Sequence, residues 1–158
     1  MRIGFGYDVH ALAEGESLIL GGVALEHNLG TVAHSDGDVL AHAITDALLG
    51  ALALGDIGTH FPDTDPKWKD ADSLELLKEA MKLISLQGYR IGNIDATIAL
   101  QLPRLRPHID TMRRNIGQCL AVNVSDVSIK ATTTEHLGFE GRQEGVSAYA
   151  VCLLLKSD

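Results

Sequence analysis

Between Asp38 and Leu54 the chain carries an apolar stripe at Leu40, Ile44, Ala47, Leu48 and Ala51. That spacing is one buried face of an α-helix, and such a face needs a second layer to cover it. Strand-like segments supply the layer. Residues 2–10 alternate, and Ser17 to Leu25 reads as a second strand in which Gly21-Gly22 marks a bulge or bend. Further helices are expected at Asp72 to Gln87, capped by Asp72 or Ser73 and stopped by Gly88, and at His108 to Ala121. Tyr89 to Leu100, Ser125 to Thr134 and Gly145 to Leu155 read as strands, and Gly55 to Ala71 as a loop rich in Gly, Asp and Pro. The order β-β-α-α-β-α-β-β predicts a single α+β domain over residues 1–158, a two-layer sandwich of one β-sheet and a helical layer.

The net charge of −8 argues against nucleic acid as a partner, so an anionic ligand must be met by a metal ion or a few placed cations. Cys119 and Cys152 have neither metal-ligand spacing nor a disulfide framework, which points to a reducing compartment. Met1-Arg2-Ile3-Gly4 has no apolar signal core, and no apolar run approaches a membrane span. A soluble, cytoplasmic protein without a membrane partner is expected.

Asp8 and His10 stand two apart in a strand, so both side chains leave one face. A carboxylate and an imidazole joined by a second imidazole make a three-ligand set of the kind catalytic zinc uses, with one position open. His42 is the candidate for that third place. It sits off the apolar stripe of its helix with Asp38, Thr45 and Asp46, and Asp38 and Asp46 at i−4 and i+4 are expected to orient its ring. The competing reading is a lone exposed histidine. Mixed nitrogen and oxygen ligands suit zinc, with manganese or a similar ion as the alternative.

Three loops carry more polarity than a fold requires. His34-Ser35-Asp36-Gly37 precedes the helix, where it is either an anion site or a capping turn. Asp56-Ile57-Gly58 and Phe61-Pro62-Asp63-Thr64-Asp65-Pro66 hold three carboxylates, suited to Asx turns or to the hydroxyls of a polyol. Lys130-Ala131-Thr132-Thr133-Thr134-Glu135 ends a strand in three hydroxyls and an acid, which are plain strand formers or holders of phosphate and a magnesium ion. Arg142 and Glu144 read as a solvated ion pair.

Together, Gly-Tyr-Asp-Val-His (6–10), Ala-His-Ser-Asp-Gly-Asp-Val (33–39), Thr-Asp-Ala-Leu-Leu-Gly (45–50), Leu-Gly-Asp-Ile-Gly (54–58), Phe-Pro-Asp-Thr-Asp-Pro (61–66) and Lys-Ala-Thr-Thr-Thr-Glu (130–135) closely resemble the signatures of the 2-C-methyl-D-erythritol 2,4-cyclodiphosphate synthase family. The resemblance runs in order from Met1 through Leu155. It implies a lyase of the non-mevalonate isoprenoid pathway, converting 4-diphosphocytidyl-2-C-methyl-D-erythritol 2-phosphate into the cyclic diphosphate and CMP. It also implies a homotrimer with its sheets toward the threefold axis and active sites between neighbouring subunits.

By motif match Asp8, His10 and His42 are the zinc ligands, and Glu135 contacts a second divalent ion, magnesium or manganese, on the nucleotide diphosphate. His34 and Thr133 match positions that stabilise the transition state. Asp8, His10, His34, Ser35, Asp56, Ile57, Gly58, Phe61, Pro62, Asp63, Thr64 and Asp65 match contacts to the erythritol and its phosphate. Leu100, Gln101, Leu102, Pro103, Arg104, Leu105 and Arg106 match the cytidine-binding stretch, aided by Thr132, Thr133, Thr134 and Glu135. Phe139 and Arg142 match further ligand contacts. With Tyr7 and Glu144 they echo positions that hold an isoprenoid-like ligand on the trimer axis of some members. Leu100, Leu102 and Arg104 depart from the small residues and lysine common in that stretch, and Arg for Lys keeps charge while changing geometry. Asp70 replaces a common glycine.

The implied chemistry suits these residue types. The substrate's own phosphate attacks the β-phosphorus and expels CMP, so the protein supplies positioning and charge, and needs no nucleophile. From the residues alone, two other readings stand. One is a zinc-dependent phosphodiesterase or diphosphate hydrolase using metal-bound water. The other is a non-catalytic trimeric module with structural zinc, which would want four ligands where three are in sight.

Overall fold

The computed structural model describes residues 1–62, 64–68 and 71–157. In chain order the strands are β1 (Arg2–Glu14), β2 (Leu18–Leu20), β3 (Val23–Leu25), β4 (Leu29–Thr31), β5 (Tyr89–Ala99), β6 (Val127–Thr132) and β7 (Gly145–Lys156). The helices are α1 (Val39–Ala51), α2 (Ile57–His60), α3 (Ser73–Leu86), α4 (Ile109–Leu120) and α5 (Gly138–Gly141). A five-stranded mixed sheet runs β4-β1-β7-β5-β6, parallel between β5 and β6 and antiparallel elsewhere. The core lies between one face of this sheet and the helices, with Ile44, Leu48, Leu77, Ile98, Met112, Ile116 and Leu154 fully buried. The architecture is the expected α+β sandwich.

Glycines set how closely the layers meet. On β1 the even-numbered residues face α1, and a Cβ on Gly4 would lie 1.8 Å from the Ala47 carbonyl oxygen, or on Gly6 1.9 Å from that of Ala43. The backbone of α1 therefore rests directly on β1. Sheet on one side and α3 on the other bury α1 almost all round, including the positions expected on a polar face: Asp38, His42 and Thr45. Thr45 satisfies its hydroxyl by donating to the Ala41 carbonyl at 2.8 Å, and Asp38 caps the helix, accepting from the amides of Ala41 and Gly22.

Several expectations need correction. Ser17 to Leu25 is a hairpin of two strands, because Gly21 and Gly22 both take positive φ (57° and 68°) and make the tight turn. The edge strand β4 is too short, with Gly30 at its centre, to show any periodicity; pairing with β1 makes it. The expected loop over 55–71 contains α2 and a 3-10 turn at Pro66–Trp68. The strand expected at Ser125 begins at Val127 after a 3-10 turn and ends at Thr132, leaving Thr133 and Thr134 outside the ladder.

The other face of the sheet is apolar and uncovered along much of β1 and β7. Ile3 is 70% and Phe5 62% exposed, with Tyr7, Val9, Tyr149 and Val151 beside them. No helix among the described residues is long and apolar enough to cross a membrane.

Candidate active site

Strand parity turns Asp8 and His10 toward α1, and the glycine-permitted contact brings His42 down onto them. His42 Nδ1 lies 2.9 Å from Asp8 Oδ2 and 3.2 Å from His10 Nε2, and His10 Nε2 lies 3.0 Å from the same Asp8 oxygen. These three atoms form a group able to hold a metal ion.

The far side of each ring fixes which nitrogen is free. His10 Nδ1 donates to the Val32 carbonyl at 3.2 Å, which leaves the Nε2 lone pair facing the group. Ser73 gives its hydroxyl proton to the Asp36 carboxylate, and its oxygen then accepts from His42 Nε2 at 2.8 Å, leaving Nδ1 as the free donor. Burial pushes the Asp8 carboxyl up, but with the imidazoles protonated toward it their hydrogen bonds and charge outweigh burial and hold the carboxyl at about 2; a bound metal ion would replace those protons. Burial lowers His10, and its contact with Asp8 outweighs that and raises it. Two neutral-nitrogen donors with their tautomers set, and one carboxylate that stays ionised, fit a divalent ion of borderline softness.

Asp38 and Asp46 do not orient His42. Asp38 is spent on the helix cap, and Asp46 Oδ1 accepts from the Ile57 amide at 2.7 Å, tying the α2 segment to α1. The orienting pair is Ser73 and Asp36, which also accepts from the Ser73 amide at 3.1 Å. Sequence reasoning missed it because Ser73 lies 31 residues from His42; its position at the start of α3 reads simply as a cap. Ser73→Ala should weaken metal binding roughly 10–100-fold with the fold intact. Competition with a chelator measures this; unchanged affinity would remove Ser73 from the site.

Ser35 joins this group, its Oγ 3.3 Å from His42 Nε2, while His34 stands exposed beside it. Asp56 caps α2 by accepting from the Thr59 hydroxyl and amide, both at 2.8 Å, and these bonds hold its carboxyl below the usual range. Ile57 and Gly58 follow on α2. Phe61 is buried edge-on against Trp68, with ring centroids 5.0 Å apart. Asp65 accepts from the Lys67 amide at 3.0 Å, Pro62 is half-buried and Thr64 exposed; Asp63 and Asp70 lie outside the described residues. Both described carboxylates of this segment thus make cap or turn bonds.

The stretch from Leu100 to Arg106 and the Thr132–Glu135 segment line one cavity of about 960 Å³. Of these residues Leu102, which is exposed, and Thr134, whose hydroxyl donates to the Leu137 carbonyl, do not line it. A larger cavity of about 1120 Å³ between α3 and α4 touches none of the expected site residues. Arg142 pairs with Glu144 through two contacts of 3.0 and 2.9 Å, as an exposed ion pair. Val9 pairs with Ser147, Ser147 with Ala99 and Ala99 with Thr132, so the metal group and the groove share one end of the sheet. Three strand spacings, about 14 Å, separate them.

An α+β domain with a ready three-ligand group and a polar groove at one sheet end is the frame of a metal-assisted enzyme. The chain belongs to the YgbB family, whose model matches residues 1–155. It is 59% identical over 157 residues to the 2-C-methyl-D-erythritol 2,4-cyclodiphosphate synthase of Ectopseudomonas mendocina, covering 99% of this chain and 100% of that one. A solved 2C-methyl-D-erythritol-2,4-cyclodiphosphate synthase in its CDP-bound form superposes with a TM-score of 0.90 at 39% identity, covering 98% and 100% of the two chains. The bifunctional IspDF of Campylobacter jejuni gives a TM-score of 0.95 at 45% identity; 99% of this chain matches, spanning 42% of that longer one.

Proposed function

We propose that this chain, acting as one synthase domain, converts 4-diphosphocytidyl-2-C-methyl-D-erythritol 2-phosphate into 2-C-methyl-D-erythritol 2,4-cyclodiphosphate and CMP. It would thereby serve as a phosphorus-oxygen lyase of cytoplasmic isoprenoid precursor synthesis. The observation that carries this reading is the Asp8, His10 and His42 group, whose three donor atoms lie within 4.8 Å of one another with the far nitrogen of each ring held by Val32 or Ser73. We assign zinc to that group. Bound there, the ion supplies positive charge that draws density from a phosphoryl oxygen.

The chain's own residues do the rest. Asp46 and the Asp56 cap hold the α2 segment, whose Asp56 and Gly58 are assigned to the erythritol hydroxyls and phosphate together with Ser35, Ile57, Phe61, Pro62, Asp63, Thr64 and Asp65. His34 and Thr133 are assigned to donate to oxygens that gain charge as the 2-phosphate attacks and the bond to the CMP phosphate breaks. The groove between Leu100–Arg106 and Thr132–Glu135 has the volume of a small-molecule site and is assigned to the cytidine diphosphate. Glu135, exposed at its mouth, is assigned to hold magnesium or manganese on the diphosphate. The apolar outer sheet face supports a homotrimer closed on that face, with the metal group of one subunit completed by the groove of its neighbour. Such an assembly would enclose Tyr7, Phe139, Arg142 and Glu144 around its axis, where an isoprenoid diphosphate is the assigned guest.

Product analysis tests the reaction. CMP and a cyclic diphosphate should appear in equal amounts; a linear phosphate product would identify a hydrolase instead. Glu135→Gln should raise the half-saturating magnesium concentration roughly tenfold, since a charge-assisted contact becomes a neutral one. An unchanged magnesium titration would speak against its role.

A further inference from the structure

Ser147 belongs to the outer-face set of β7 together with Tyr149 and Val151, which are 40% and 44% exposed, yet Ser147 itself is fully buried. The cover at this end of the sheet is α5. Ser147 Oγ donates to Glu140 Oε1 at 2.7 Å, and Glu140 is only 9% exposed. Among the described residues no Lys, Arg or His pairs with Glu140. A buried carboxylate is costly unless hydrogen-bonded, so a contact like this one constrains where α5 can sit.

The segment that α5 carries needs such a constraint. Glu135 and His136 hold φ of 53° and 63°, left-handed values that side-chain-bearing residues keep only when the flanking structure over-determines them. On one side the His136 amide donates to Gln101 Oε1 at 3.3 Å and the Leu137 amide to the Thr134 carbonyl at 3.0 Å. On the other side the Gly141 amide donates to the Leu137 carbonyl at 3.1 Å. Gly141 also packs so tightly that a Cβ there would stand 2.2 Å from the His136 carbonyl carbon. The turn and α5 are therefore bonded to each other; Glu140 ties α5 to Ser147 of β7, as Gln101 ties the turn to the end of β5.

We infer that Glu140 and Ser147 form a positioning latch for the Thr133–Glu135 segment, setting where the Thr133 hydroxyl and the Glu135 carboxylate meet a nucleotide diphosphate and its divalent ion. The role rests on the assignment of that segment under the proposed function; the tie itself does not.

The test compares Ser147→Ala, Glu140→Ala and Glu140→Gln in the full chain. Three quantities are read: KM and half-saturating magnesium from CMP release, zinc content, and hydrogen exchange of the amides from residue 134 to 141. Ser147→Ala and Glu140→Ala should speed exchange in that segment, raise KM and the magnesium requirement roughly tenfold and lower kcat through the displaced Thr133 hydroxyl, with zinc content unchanged. Glu140→Gln keeps an Oε1 acceptor for Ser147 and should stay near the parent in all three. Unchanged exchange, faster exchange without a change in KM or magnesium requirement, or an equal loss in Glu140→Gln would each overturn the latch. If the parent chain releases no CMP, the functional reading fails, and the positioning role falls with it. Exchange in the three variants still decides the tie.

Discussion

His42→Ala is expected to leave a folded chain that retains no metal and turns over on the order of 10³-fold more slowly, the rate equivalent of several kcal/mol of lost charge stabilisation. The variant leaves Asp8 and His10 as a two-ligand remnant, and zinc sites in proteins use at least three protein ligands. It also strips Ser73 of the imidazole that its hydroxyl oxygen accepts from. The fold should survive, since α1 is anchored by its Asp38 cap and its contact with β1, and alanine is a better helix former than histidine. The cavity left by a side chain only 8% exposed should cost about 1–3 kcal/mol. Metal analysis after dialysis, circular dichroism and CMP release measure the three effects. Normal metal content with normal turnover would remove the site as drawn.

Gly6→Ala should damage stability and metal binding together. Its Cβ would stand 1.9 Å from the Ala43 carbonyl oxygen, so α1 must move off β1 by more than an ångström. Overpacking against backbone, which cannot swing aside, should cost about 3 kcal/mol. Ala43 is the residue after His42, so the same displacement lifts the imidazole away from Asp8 and His10, and metal affinity should fall roughly 100-fold. Gly50→Ala is the control: it lies on α1 with its nearest neighbour at 3.9 Å, and should be neutral or stabilising by about 0.5–1 kcal/mol. Denaturant midpoints and metal titrations read both. A Gly6→Ala chain as stable as Gly50→Ala would show that the close approach does not hold the site.

The metal-ligand candidates are legible because short-range periodicity picks them out, and the family resemblance joins them into one set. A two-residue spacing puts Asp8 and His10 on one strand face, and the 3.6-residue repeat separates His42 from the stripe of its helix. That repeat does not reach the surroundings: it puts Asp38, His42 and Thr45 off the stripe, and α3 and the sheet enclose them all the same. Asp38 and Asp46 looked like partners of His42 because they are one helical turn away, but their oxygens are claimed by Gly22, Ala41 and Ile57. No local rule ranks Ser73 and Asp36 as its partners, or Glu140 with Ser147 as a tie.

By itself the sequence determined the long strands and the three long helices, the α+β layering, the side of its element from which each of Asp8, His10 and His42 points, and the family, through motifs spread from Gly6 to Glu135. These depend on neighbours within a turn or a strand pair, or on strings of residues read in order. Only the tertiary structure decided which groups meet. The Gly21-Gly22 hairpin, the β4 edge, the Ser73–Asp36 partners of His42, and the groove shared by Leu100–Arg106 and Thr132–Glu135 all rest on contacts between segments far apart in the chain. Such contacts follow from how the layers pack, and at the metal group that packing distance is set by Gly4 and Gly6, where a single added carbon would hold the helix away.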